Sequence, residues 1–172
     1  IAYSTDTVVD EGTASFAHGV KLLLHELWLD DADVAPDEVT RTGHSYASGV
    51  VHTIDAAFPF LQRTPGAHVV VMSSMSAEYG SPQHAVYSAT KFFVRGLTEA
   101  LNIEYRVHGI QVSAIYVAYV QTDMVFGARV KPASIARLGV KIPPQSVARA
   151  VWRAVHGNRV HWRLGLDARL IN

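Results

Sequence analysis

Tyr87 and Lys91 are the pair of residues whose types and spacing best suit proton transfer. Residues four apart share one face of a helix, and a long helix is predicted here, so the two side chains are expected to meet. A tyrosine alone has a pKa of about 10, but a nearby ammonium group favours its phenolate. The pair therefore suits acid–base catalysis on a carbonyl or an alcohol, whereas a surface helix pair is the simpler interpretation of the spacing alone.

Ser74 strengthens the catalytic interpretation because it follows a predicted buried strand and precedes Tyr87 by 13 residues. The run at residues 68–72 is rich in β-branched residues and bounded by turn residues, as expected for a central strand of a parallel sheet. Such strands end at the ligand crevice, where the Ser74 hydroxyl could hydrogen-bond the oxygen that Tyr87 protonates. A serine-hydrolase elbow is not favoured, because Met72 and Ser76 stand where that motif has glycines.

The elements that would position these residues alternate between helix and strand, which predicts an α/β fold with a parallel sheet. Helical spacing of apolar residues predicts helices at 45–62, 85–108 and 147–155, and apolar runs predict strands at 68–72, 110–117 and 159–164. Pro59 is expected to kink or end the first helix. Residues 16–27 fit either one helix or a helix, a glycine turn and a strand.

Composition and charge are those of one globular domain. The chain has 172 residues, 49% of them apolar, and 15 basic side chains balance 15 acidic ones, so no nucleic-acid partner is expected. No apolar run approaches the ~20 residues that span a bilayer, so no membrane association is expected. The absence of cysteine fits a reducing compartment, and a cytoplasmic location is predicted. The nine histidines show no metal-ligand spacing, so no metal site is predicted.

Three stretches resemble the active-site region of the classical short-chain dehydrogenase/reductase family. They are Val-Val-Met-Ser-Ser at 70–74, Tyr-Ser-Ala-Thr-Lys at 87–91 and Gly-Leu-Thr-Glu-Ala-Leu at 96–101, and the likeness extends over about residues 36–167. The resemblance implies that NAD or NADP is the cofactor, that a small carbonyl or alcohol compound is the substrate, and that the protein forms homo-oligomers through the helices at 45–62 and 85–108.

The resemblance also implies a role for each residue of the site. Ser74 would hold the substrate carbonyl, Tyr87 would be the acid–base, and Lys91 would lower the pKa of Tyr87 and bind the nicotinamide ribose. Thr122 would contact the nicotinamide carboxamide, although Val117 and Ala118 replace the Pro-Gly pair that usually precedes it. A loop hydroxyl that caps a turn is the alternative for Thr122.

The loop between Ser74 and Tyr87 is expected to line the substrate crevice, and the segment after Thr122 could form an apolar lid. Ordinary core and loop packing is an equally good interpretation of both segments. The residues concerned are Glu78, Tyr79, Gln83 and His84 in the loop and Met124, Val125 and Phe126 in the lid.

The front of the sequence departs from the family. None of the 12 glycines forms the glycine-rich turn that receives the cofactor pyrophosphate, the Asn-Asn-Ala-Gly turn is replaced near residues 23–26, and the helix asparagine of the family falls at Tyr46. The fold is therefore predicted as one incomplete Rossmann-like domain over 1–172, a doubly wound parallel sheet lacking the first βαβ unit. Within it, 1–35 is a degenerate front segment and 36–172 is the catalytic part.

Two functions follow from these observations. The first is NAD(P)-dependent hydride transfer with Tyr87 as acid–base, and the alternative is a truncated, non-catalytic fragment that acts as an interaction module or has no function. A polypeptide of these 172 residues is expected to bind NAD(H) or NADP(H) only at millimolar concentration or worse, because the amides that hold the pyrophosphate are not encoded. Isothermal titration would check this expectation, and saturable micromolar binding would contradict it.

Overall fold

The computed structural model describes residues 2–4, 22–26, 47–82, 84–127 and 133–165. The strands are β1 (Ala2–Ser4), β2 (Leu22–Glu26), β3 (His68–Ser74), β4 (Gln111–Val117) and β5 (His161–Arg163). The helices are α1 (Ala47–Leu61), α2 (Ala85–Arg106), α3 (Asp123–Gly127), α4 (Ala133–Leu138) and α5 (Pro144–Val155), with a single 3₁₀ turn at Met75–Ala77. None of the helices described here is both long and apolar enough to cross a bilayer.

The five strands form one parallel sheet in the order β1-β2-β3-β4-β5. Strand β3 lies at the centre, and its last residue, Ser74, is in register with Val117 at the end of β4. Parallel strands end at the same edge of a sheet, so the segments that follow β3 and β4 begin side by side. The prediction of a partial Rossmann-like α/β fold is confirmed.

Helices cover both faces of the sheet. Alternate residues of β3 point to opposite sides, and apolar side chains on both sides need to be buried. On one face Val69 and Val71 pack with the buried side of α1 and with Val94 of α2. On the other face Val70 packs with Ile115 and with Ala150 of α5. Both faces of β3 are thus buried, which explains why this strand is a continuous apolar run rather than an alternating one.

The structure extends the predictions at three points. Helix α1 continues through Pro59 to Leu61, because Leu61 is buried in the core and offsets the hydrogen bond that proline cannot donate. Residues 22–26 form a strand, which supports the second alternative for 16–27. Strand β1 was not predicted, because its three residues are too few to show a period. Tyr46 lies outside the described residues.

Candidate active site

Ser74 lies at the carboxyl end of the central strand, as its position after an apolar run predicts. Its backbone is still extended, and its Oγ atom accepts a hydrogen bond of 3.1 Å from the backbone N–H of Ser76. The serine thereby caps the 3₁₀ turn at Met75–Ala77. It is 9% exposed, so the hydroxyl lies at the surface of the core rather than deep within it.

A series of serine contacts connects this strand end to the first turn of α2. Ser76 Oγ lies 3.2 Å from Ser81 Oγ, and the backbone N–H of Ser81 donates to Ser88 Oγ at 3.0 Å. Ser88 follows Tyr87 directly and is buried. The contacts therefore fix the start of the helix that carries Tyr87 relative to the turn that Ser74 caps.

Tyr87 and Lys91 lie on one face of α2, one turn apart, as their spacing predicts. The Lys91 Nζ atom lies 5.4 Å from the centroid of the Tyr87 ring, and the His84 ring meets the same tyrosine edge-on at 6.1 Å. Lys91 is only 1% exposed, whereas Tyr87 is half-buried. A cation held inside the protein acts on its neighbours through a lower dielectric than a surface cation does, so the ammonium is well placed to influence Tyr87.

Thr122 follows the end of β4 by five residues and directly precedes helix α3. Its carbonyl accepts the backbone N–H groups of Val125 and Phe126 at 3.0 and 3.1 Å. The preceding residues are held by a bridge between Val120 and Ile142. Thr122 thus lies beyond the strand next to Ser74, at the same edge of the sheet, and a contact between its hydroxyl and a cofactor stays a prediction.

Glu78 is the buried member of an ionic network, so its carboxylate does not line an open crevice. Its Oε2 atom lies 3.2 Å from a guanidinium nitrogen of Arg95 on α2, and its Oε1 atom lies 2.9 Å from one of Arg163 on β5. The Glu78 side chain is only 9% exposed. Of the two interpretations of this loop, ordinary packing therefore holds for Glu78. Its ion pairs connect the turn after Ser74 to the helix of Tyr87 and to the edge strand. Gln83 lies outside the described residues.

Neutral groups complete the network around these ion pairs. Tyr116 Oη lies 2.8 Å from His161 Nδ1, and His161 Nε2 lies 3.2 Å from Glu99, which also pairs with Arg95 at 3.0 Å. Burial raises the pKa of Tyr116 well above its usual range and lowers the pKa of His161. Both residues are therefore uncharged near neutral pH, and the charge of the network is carried by two arginines and two glutamates.

Replacing Glu78 with Gln is expected to lower the free energy of unfolding by about 2 kcal/mol, because two partly buried arginines lose their shared carboxylate. Urea denaturation of the two proteins would measure the loss. Glu104→Gln is the matched control, since Glu104 is exposed on α2. Equal stability losses in the two variants would show that the Glu78 network contributes nothing specific.

Sequence comparisons agree with this architecture. The family model described as short chain dehydrogenase matches residues 29–132. Oxidoreductase UcpA from Escherichia coli is 32% identical over 113 residues, which cover 65% of this chain and 40% of that protein. An uncharacterized oxidoreductase from Myxococcus xanthus is 31% identical over 77 residues, 45% of this chain and 30% of the relative. The chain thus spans less than half the length of these curated relatives.

The fold also matches solved structures. A short chain dehydrogenase from Burkholderia cenocepacia, solved in complex with NADP, superposes with a TM-score of 0.72 over 96% of this chain and 73% of its own, at 20% identity. At that identity the likeness shows the fold alone. Because the family model matches more than half of the chain, on a parallel α/β fold of the same type, the chain belongs to the short-chain dehydrogenase family.

Proposed function

We propose that this protein is an NAD(P)-dependent oxidoreductase that interconverts a small carbonyl compound and the corresponding alcohol. The observation that carries the proposal is the buried ammonium group of Lys91, 5.4 Å from the Tyr87 ring centroid, on the helix next to the Ser74 turn. A phenol beside a buried cation suits proton exchange with a substrate oxygen. Oxidoreductase relatives and the family match support the same class of reaction.

In the proposed reaction each of the three residues has one task. The Tyr87 hydroxyl donates its proton to the substrate oxygen as the carbonyl carbon is reduced, and it takes the proton back when an alcohol is oxidised. The Ser74 hydroxyl donates a hydrogen bond to the same oxygen and orients the carbonyl. Lys91 favours the phenolate that forms on Tyr87 after the proton has left.

The cofactor would be NAD or NADP: its reduced form would supply the hydride to the carbonyl carbon, and its oxidised form would accept the hydride when an alcohol is oxidised. The donors present fit the nicotinamide end of such a cofactor, because the buried Lys91 ammonium suits ribose hydroxyls and the Thr122 hydroxyl can meet an amide. Tyr87, Lys91 and Thr122 are the residues proposed to hold it, Lys91 and Thr122 through these polar contacts and Tyr87 through its ring. The NADP complex of the Burkholderia cenocepacia protein supports this choice of cofactor for the family. A cytoplasmic location remains a prediction.

Deuterium transfer would test the proposed reaction. The protein is incubated with 4-deuterated NADH or NADPH and a panel of aldehydes and ketones, and absorbance at 340 nm and the mass of the alcohol are followed. Deuterium is expected on the carbinol carbon of the product. Protein that binds the cofactor but turns over no member of the panel would favour the non-catalytic alternative, an interaction module.

Self-association is expected through α2, whose outer face keeps large apolar side chains in contact with solvent. Phe92, Phe93, Ile103 and Val107 are between 40% and 83% exposed, whereas the apolar stripe of α1 is buried in the core. Burial of this face against a second copy would remove a large apolar area from water. The described part of α1 therefore offers less apolar surface for self-association than its sequence pattern predicts.

Sedimentation would measure this association. The double variant Ile103→Lys and Val107→Lys is expected to be monomeric at concentrations where the parent protein is a dimer or larger. Trp152→Lys is the control, because Trp152 is 65% exposed on the other face of the sheet. A parent protein that stays monomeric at high concentration would contradict the expectation.

A further inference from the structure

Charge is segregated along the chain although the net charge is zero. Residues 124–166 contain eight lysines and arginines and neither an aspartate nor a glutamate. Fourteen of the fifteen acidic residues precede this segment. The side chains of a segment that carries charge of one sign are normally spread over a solvated surface. The positions of these lysines and arginines in the fold therefore decide whether they form a site.

Four of the arginines line one cleft of about 540 Å³ between α5 and the edge strand β5. Arg149 and Arg153 come from α5, and Arg159 and Arg163 come from β5 and the turn before it. Arg149 and Arg153 are four residues apart, so they are neighbours on one face of the helix and repel each other. The Arg149, Arg153 and Arg159 cations therefore line one cavity, whereas the Arg163 guanidinium is directed to Glu78 and the Tyr116 ring.

Three of these four arginines have no carboxylate partner within the described part of the chain. Arg163 is neutralised by Glu78. Arg149 donates a hydrogen bond of 2.9 Å to the hydroxyl of Ser146, and the Arg159 guanidinium lies 5.6 Å from the ring centroid of Trp162. Arg153 is exposed at the side of the cleft. A bound anion would relieve the repulsion among them.

The aromatic wall of the cleft is held in place by close packing. The indole N–H of Trp162 donates to the Arg159 carbonyl at 2.9 Å. Its ring lies so close to the end of α5 that a Cβ atom on Gly157 would come within 2.7 Å of it. Only glycine allows this approach, so Trp162 is fixed beside the arginines before any ligand arrives.

We propose that the cleft between α5 and β5 binds a small organic molecule that carries two or more phosphate groups. The planar guanidinium fork matches phosphate oxygens, and several forks around one cavity favour a polyphosphate over a single anion. The volume is that of a small-ligand site, whereas a nucleic acid needs an extended basic track. The cleft is distinct from the Tyr87 site, because α5 and α2 pack on opposite faces of the sheet.

Isothermal titration with sodium tripolyphosphate at constant ionic strength would test the proposal. The parent protein is expected to show saturable binding, and the double variant Arg149→Gln and Arg153→Gln is expected to bind at least about tenfold more weakly, since each lost contact is a charge-assisted hydrogen bond. Both residues are exposed, so the variant should fold. The matched control is Arg63→Gln with Arg106→Gln, two exposed arginines that do not line the cleft.

Three results would overturn the proposal. One is the absence of saturable binding to the parent protein, and the other is an equal loss of binding in the cleft variant and in the control. Binding of a single-stranded oligonucleotide without binding of tripolyphosphate would also overturn it, because the partner would then be a nucleic acid. Neither the cleft nor this titration involves Tyr87, so failure here leaves the proposed oxidoreductase function untouched.

Discussion

In a protein that also carries an intact cofactor-binding front segment, Tyr87→Phe is expected to lower kcat by about 10²–10⁴-fold while leaving the dissociation constant of the cofactor nearly unchanged. The substitution removes one oxygen and its exchangeable proton and keeps the ring, which lies beside Lys91 and His84. Because the proton is needed only when the substrate oxygen changes charge, the loss should appear in the rate rather than in ground-state binding. Steady-state kinetics and a cofactor titration on the same preparation would separate the two quantities.

Tyr105→Phe is the matched control for this experiment. Tyr105 lies on the same helix and also loses a hydroxyl, but it is buried in the core formed with α1. Its substitution is expected to leave kcat within a few-fold of the parent value. Lys91→Ala, in contrast, should weaken both cofactor binding and turnover, because the ammonium is proposed to serve the ribose and the phenol together. Substantial residual activity in Tyr87→Phe would remove this tyrosine from its proposed role.

The sequence was sufficient to place Tyr87 and Lys91 together because one helix fixes their relation. The period of an α-helix alone brings residues 87 and 91 to one face, and the apolar run before Ser74 alone predicts a strand end. The family resemblance then added roles that spacing cannot assign. Residues related through one local element are thus the part of a site that a sequence predicts best.

For Glu78 the sequence left crevice lining and ordinary packing equally open, for the opposite reason. Its partners, Arg95 and Arg163, lie 17 and 85 residues further along the chain, and only the packing of α2 and β5 around the turn brings them together. From the sequence, a glutamate in a loop next to a predicted site therefore fitted the crevice and ordinary packing equally well. The basic cleft was not predicted for a related reason, since the balanced net charge conceals arginines that line one cavity only when β5 lies beside α5.

The fold was predicted where the local signal and the tertiary packing agree. Strands β3 and β4 and helices α2 and α5 each carry an apolar pattern that also matches the buried face in the structure. Strand β1 has three residues and is defined by its pairing with β2, so no pattern within it could reveal a strand. At Pro59 the local preference for a break is overridden, because the residues that follow belong to the core.

His68 is expected to make the protein sensitive to acid below about pH 6.5. The ring is 2% exposed at the start of β3, where Nε2 lies 2.8 Å from Ser113 Oγ, and Ser113 in turn donates to the Arg159 carbonyl at 2.9 Å. Burial lowers the pKa of His68 to about 4, against the opposing effect of a hydrogen bond with the Val155 backbone. The folded protein therefore keeps this imidazole neutral at pH values where the unfolded chain protonates it.

The direction of the pH effect follows from which state binds the proton. Between pH 6.5 and 4 the unfolded chain carries a proton on His68 that the folded protein excludes, so the free energy of unfolding falls as the pH falls. Above pH 6.5 both states are neutral and His68 adds no pH dependence. Over the whole window the loss approaches about 3 kcal/mol, since each pKa unit corresponds to about 1.4 kcal/mol.

Urea denaturation at pH 7.5 and pH 5 would measure this effect in three proteins. Other groups also titrate in this range, so the informative quantity is the difference between the parent protein and His68→Gln, a variant that keeps a polar side chain but cannot be protonated. By pH 5 the parent protein is expected to lose about 2 kcal/mol more than His68→Gln does, relative to pH 7.5. His52→Gln, which removes an exposed histidine on α1, should lose as much as the parent protein does. If His68→Gln kept the full acid sensitivity of the parent protein, the folded state would not exclude a proton from His68, and the acid response would belong to other titrating groups.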